Sequence, residues 1–144
     1  MDNQDTARLL RECNAGIKMG ISSLEEVLPR VKNARFAEIL SSGKKEHEAL
    51  EKEVSSMLRH YEVPDKEPSA IVKAMGKMKT EMRLMMKEED AVVADMITEG
   101  CHMGVKSLSR YLNEYAAAEG CAQDVTKRLI AVEDKMAIEI RPYL

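Results

Sequence analysis

His47 is the residue best placed to do chemistry. It falls on an otherwise apolar stripe of Phe36, Leu40, Gly43, Leu50, Val54, Met57 and Tyr61, spaced three and four residues apart without a break in phase. An imidazole on such a seam can ligate a metal or move a proton, and burial is expected to depress its pKa and keep it neutral. The plainer alternative is a core histidine satisfied by a nearby acceptor, or one that leans outward, and that reading is preferred. Cys13 and Cys101 are a second pair with reactive potential. They open two matching phrases, Cys-Asn-Ala-Gly-Ile-Lys at 13–18 and Cys-His-Met-Gly-Val-Lys at 101–106. A third group is the run Met75, Met78, Met82, Met85 and Met86, whose thioethers suit Cu(I). Methionines at helical spacing are more simply read as adaptable packing.

The matching phrases define the elements that must position these groups. Each sits early in a helical pattern that passes into another about thirty residues later, and self-similarity at this period points to a duplicated helical hairpin. The first helix is expected from about residue 5 to 28, capped by Asp5 or Thr6 and ended with the help of Pro29. Its inward stripe is Leu10, Cys13, Ile17, Gly20, Leu24 and Val27. Asn33 is expected to cap the second helix, and the short connection makes the two antiparallel. Residues 62–68, with two prolines and four charges, read as a linker. A Met-rich helix over 69–87 follows, completing a crossover at 62–88. The fourth helix starts near Glu88, Glu89 and Asp90, carries Ile97, Cys101, Val105, Leu108, Leu112 and Tyr115, and is expected to stop at Gly120. The last carries Val125, Leu129, Val132, Met136 and Ile140, ending at Pro142.

Five helices must fit four bundle positions, and the duplication makes the Met-rich one the connection. At about 1.5 Å per residue it covers about 27 Å, and an extended linker adds up to about 20 Å, enough to return along a bundle of about 40 Å. The fold class is therefore all-α: a single domain made of a hairpin at 5–61, the crossover, and a hairpin at 89–144. In that topology Cys13 and Cys101 lie on helices that start at opposite ends. They are then about 10 Å or more apart, beyond the roughly 7 Å Cα limit of a disulfide, and are read as small apolar fillers. Gly16, Gly20, Gly100 and Gly104 each cost about 1 kcal/mol of helix propensity, which close packing against a neighbouring helix can offset. The charges from Lys44 to Glu53 read as a solvated face with i to i+4 pairs.

Two antiparallel hairpins joined by a long crossover resemble the ferritin-like superfamily. The phrases Leu9-Leu10-Arg11-Glu12-Cys13 and Lys44-Lys45-Glu46-His47-Glu48 also resemble small uncharacterised ferritin-like proteins of anaerobic bacteria. The resemblance implies a Glu-x-x-His pair on the second helix of each hairpin and an inward Glu on each first helix, together holding two metals. Here the second helix has Lys44 where the carboxylate belongs. The last helix keeps Glu133 but has Met136 in place of the histidine, and the first-helix seam carries no Glu. No metal site and no cofactor are therefore expected. An atypical site for iron, manganese or zinc would have to draw on His47, Glu133, Glu46 and Glu12.

Composition narrows the remaining classes. Over 144 residues, 44% are hydrophobic and 33% charged, which supports a packed core. One Phe, four Tyr and no Trp leave no aromatic platform for single-stranded nucleic acid, and a net charge of -3 provides no basic field for a duplex. No run reaches the roughly 20 apolar residues of a membrane span, and no signal-peptide pattern opens the chain. Three cysteines without such a signal suggest a cytoplasmic setting. No phosphate loop, nucleophile elbow or Cys-x-x-Cys pair is present, so no catalytic residue is assigned. The expected function is a non-enzymatic scaffold or binding module, a homodimer with a possible protein partner at the Met-rich helix. The alternatives are an atypical metal-storage protein or oxidoreductase and a spore-coat-like structural protein.

Overall fold

A computed structural model describes residues 4–61, 63 and 89–144. Among them are four α-helices and no strand: α1 Gln4–Val27, α2 Ala34–His60, α3 Asp90–Glu114 and α4 Gly120–Ile140. Single 3-10 turns, Leu28–Arg30 and Arg141–Tyr143, follow α1 and α4. Each turn holds a proline, Pro29 or Pro142, whose missing N–H cannot continue the helical ladder. Asn33 caps α2, its side-chain oxygen accepting from the Phe36 amide at 3.0 Å, as its type and position suggested.

Helix directions follow from hydrogen bonds at the two ends of the bundle. Thr6 Oγ1 accepts from the Glu119 amide at 2.8 Å and Asp5 Oδ2 from the Ala117 amide at 3.2 Å. The start of α1 therefore lies beside the α3–α4 connection. At the other end Asp90 accepts from the amides of Lys32 and Asn33, each at 2.9 Å, which sets the start of α3 beside the α1–α2 connection. Helices α2 and α3 thus run parallel, as do α1 and α4. The pairs α1–α2, α3–α4, α2–α4 and α1–α3 are antiparallel, and α1 also packs on α4, parallel to it. Tyr61 and Glu89 accordingly lie at opposite ends, about 40 Å apart along α2. The arrangement is a four-helix bundle compatible with a ferritin-like fold. The Met-rich helix expected over 69–87 lies outside the described residues.

The interior has two apolar clusters stacked along the bundle axis. One gathers Leu24, Val27, Phe36, Leu40, Ile97 and Ile140, with Tyr143 stacked on Phe36 at 4.7 Å between ring centroids. The other gathers Leu9, Cys13, Ile17, Val54, Val125 and Leu129. Fully buried side chains such as Leu9 and Ile17 each stabilise the fold by about 1.5–3 kcal/mol. Between the clusters, at one level, fall Gly20, His47, Gly104 and Glu133.

Several expectations need correction. Gly120 does not end the third described helix but begins α4, because α3 already stops at Glu114 and residues 115–119 make the turn. Asp5 and Thr6 do not act as simple caps, since their side chains serve the opposite hairpin's loop. Leu58 is buried on the α2 seam, while Met57 and Tyr61, the latter just past the end of α2, are only partly buried against the same cluster, because the seam drifts over a helix of 27 residues. Of the charges from Lys44 to Glu53, three pair across helices: Lys44 with Glu25 at 3.5 Å, Glu46 with Lys135 at 3.3 Å, and Glu53 with Arg128 at 2.5 Å.

Candidate functional site

The α2 seam carries His47 into the interior, where the residue is 1% exposed. Its Nδ1 donates to the Gly43 carbonyl one turn back, at 2.7 Å. Its Nε2 meets Oε1 of Glu133 on α4 in a hydrogen-bonded ion pair. The Glu133 side chain is 13% exposed, so the pair is nearly dry. His47 and Glu133, each half of an incomplete motif in the sequence, are thus brought together across the two hairpins.

The other candidates are not part of this group. Glu46 turns outward to Lys135. Glu12 lies eight residues before Gly20, about 12 Å along α1, and faces Tyr111. Burial and that carboxylate push the Tyr111 hydroxyl up to about 12. Lys44, which replaces the expected carboxylate, reaches Glu25 on α1. Among the described residues no group of three or more His, Cys, Asp or Glu side chains is placed to hold a metal ion.

Gly20, Gly43 and Gly104 form a cradle for these side chains. A Cβ at Gly20 would lie 2.9 Å from Cδ2 and Nε2 of His47. One at Gly43 would lie 2.5 Å from Sδ of Met136, and one at Gly104 would lie 3.5 Å from Oε2 of Glu133. The glycines therefore make room for side chains where close approach of two helix backbones was anticipated. Met136, at the position where the resemblance implies a histidine, fills the gap at Gly43. A small cavity of about 20 Å³ remains beside Glu133, lined by Gly16, Gly20, Gly100, Gly104, Leu108 and Leu129, with room for about one water.

Electrostatics reverse the expectation for His47. Burial pulls the imidazolium down, but the hydrogen bond and charge of Glu133, with the Gly43 carbonyl, together hold its pKa above the ordinary histidine value. The sequence could not supply this sign, because it depends on a carboxylate 86 residues away. Cys101 is buried near Glu133. Burial first, and that carboxylate second, push its thiol up. Cys13 is buried in the other cluster with Thr126 Oγ1 at 3.0 Å, and burial raises it to about 12. The two cysteines are free thiols.

At the far end of α2 the Tyr61 hydroxyl donates to Glu119 and lies 3.5 Å from the exposed thiol of Cys121. A shallow groove there is lined by Glu53, Ser56, Met57, His60, Tyr61 and Cys121. The sequence reading missed this place, since nothing in the spacing of Tyr61 and Cys121 links them. No helix among the described residues is long and apolar enough to cross a membrane. Compared with protein-family models, curated proteins and solved structures, the chain matches none.

Proposed function

We propose that the protein is a non-enzymatic helical bundle of ferritin-like topology, acting as a scaffold or binding module. The observation that carries this reading is the closure of His47 on Glu133. The imidazole nitrogen facing the interior, which an iron or zinc site would need, is spent on a carboxylate from the other hairpin. The neighbouring positions follow suit, with Lys44 paired to Glu25 and Met136 packed on Gly43. Residues that resemble half of a metal motif are accounted for as bundle packing.

Metal analysis of protein purified without chelators or affinity-tag metals tests the reading. The expected result is substoichiometric iron, manganese, zinc and copper, with a Tm unchanged by chelator. One or two metals per chain, removable with a fall in Tm, would replace the scaffold with an atypical metal protein. The proposal includes a homodimer, which rests on the Met-rich sequence outside the described residues. Among the described residues the exposed large apolar side chains are Ile138 at 55% and Leu144 at 57%, too few for a dimer face of their own. A monomeric mass by light scattering at tens of micromolar would remove the dimer and leave the monomeric scaffold in place.

A further inference from the structure

The ring of His47 is held between two groups that accept hydrogen bonds. The Gly43 carbonyl has no proton to give, so Nδ1 carries a hydrogen. Nε2 faces a carboxylate oxygen, and an unprotonated nitrogen there would set two lone pairs against each other in a nearly dry interior. One proton must therefore lie between Nε2 and Oε1 for the contact to hold.

Among the described residues this contact differs from the other polar links between the two hairpins, of which Tyr61 with Glu119 and Cys121 is exposed and Tyr111 with Glu12 involves a hydroxyl raised to about 12. Arg128 with Glu53 and Lys135 with Glu46 are on the exposed surface. The links of Asp5, Thr6 and Asp90 end on backbone amides. Cys13 with Thr126 is buried, but a thiol raised to about 12 keeps its proton through the neutral range. The groups facing His47 are few. Helix α1 presents uncharged Gly20, and α2 contributes Lys44 and Glu46, engaged by Glu25 and Lys135. Helix α4 contributes Glu133, with Asp134 next to it, and α3 contributes the Cys101 thiol near Glu133.

We propose that His47 and Glu133 form a proton-operated latch joining the two hairpins, closed while Nε2 keeps its proton and open when that proton passes to solvent. Opening, with the ring's remaining proton kept on Nδ1 toward the Gly43 carbonyl, leaves two acceptors facing each other. The cavity beside Glu133, lined from α1, α3 and α4, holds room for about one water, which can donate to the freed carboxylate. Loss of the shared proton frees α2 from α4 at the level between the two core clusters. The direction is set by the environment: burial opposes the charged ring, yet Glu133 and Gly43 outweigh it and hold the folded pKa above the ordinary value. A group raised on folding contributes stability that is fully present below its unfolded pKa, about 6.5, and lost as pH rises through the folded value. The latch is therefore closed below about 6.5 and opens as pH rises through the folded value. The inference does not depend on the scaffold reading.

The experiment uses the full chain in buffer with chelator, so that no metal competes for Nε2. Long-range proton–nitrogen NMR follows the His47 ring from pH 5.5 to 9.5. Hydrogen exchange, corrected for the intrinsic pH effect, follows the amides around residues 43–50 and 129–136. We expect both ring nitrogens predominantly protonated at pH 6.5 and a loss of protection of about tenfold or more between there and the alkaline end. In Glu133→Gln the amide can donate to a neutral imidazole, a link with no titrating proton, and the loss should vanish. His47→Gln, which can donate to Glu133 at any pH, should behave likewise. A neutral ring in the wild type at pH 6.5 would overturn the latch whether or not either variant folds. An equal loss of protection in a folded variant would overturn it as well.

Discussion

His47 on α2 occupies the space that a side chain at Gly20 on α1 would need, its Cδ2 and Nε2 both 2.9 Å from the Cβ position. The ring has no direction in which to retreat. One nitrogen is held by Gly43, the other by Glu133, and the residue is almost wholly enclosed. A glycine in the middle of a helix, unfavourable by propensity, is thus explained by a histidine in the partner helix.

The first prediction compares two glycines one turn apart. Gly20→Ala places a methyl against a ring pinned from both sides, and should destabilise by about 1–3 kcal/mol through overpacking. At Gly16 nothing lies within 4 Å of the added Cβ, so Gly16→Ala should stabilise by up to about 1 kcal/mol from helix propensity alone. Urea unfolding at pH 7 reads both. Equal effects of the two substitutions would mean that the His47 ring is not where the cradle places it.

The second concerns the pair itself. His47→Leu leaves Glu133 without its partner in a nearly dry site, and should cost about 1–3 kcal/mol. Replacing both residues, His47→Leu with Glu133→Leu, removes the stranded charge and should recover most of that loss or exceed the wild type. A double-mutant cycle of thermal or urea melts gives the coupling. Additive losses would show that the two side chains do not depend on each other.

Much of the bundle was legible because helices write their inward face as spacings of three and four. That periodicity placed His47 inside, Cys13 and Cys101 in the core, and Asn33 at the cap of α2. The run of helices in sequence also set α2 and α3 parallel before any contact was known. The site was legible only by halves. Glu133 was singled out as the surviving half of a motif, but its pairing with His47 is a tertiary fact that no local pattern encodes. For the same reason the pKa shift of His47 came out with the wrong sign from burial alone. Gly120 was misread because glycine serves both ends of helices, and only the turn at 115–119 decides which.

Thiol reactivity should divide the three cysteines sharply. Cys13 and Cys101 are buried, at 0% and 3% exposure, and burial pushes both thiols up, Cys13 to about 12. The thiolate is the reactive form, so both are protected twice over. Cys121 is exposed at the start of α4. A thiol-reactive chromogen at pH 7.5 should therefore label one cysteine per folded chain, and three in denaturant. Rapid labelling at Cys101 would show that α3 opens locally without global unfolding.

The last prediction concerns Asp90, whose carboxylate receives the amides of Lys32 and Asn33 from the opposite hairpin, each at 2.9 Å. It is also the first residue of α3, where a negative charge is favoured by the helix dipole. Two backbone N–H groups at the entry to α2 have this single acceptor between them, and hydrogen bonds to a charged group are stronger than neutral ones. Asp90→Ala removes both bonds together with the charge at the helix start, and should cost about 1–3 kcal/mol. Asp90→Asn keeps one carbonyl oxygen to accept, and should cost less than half as much. The loss should be largest in the amides of residues 32–36 and 90–94 by hydrogen exchange, because the clamp joins those two helix starts. An Asp90→Ala variant as stable as the wild type, with unchanged protection at residues 32 and 33, would mean that water satisfies those amides equally well and that the loop is held by packing alone.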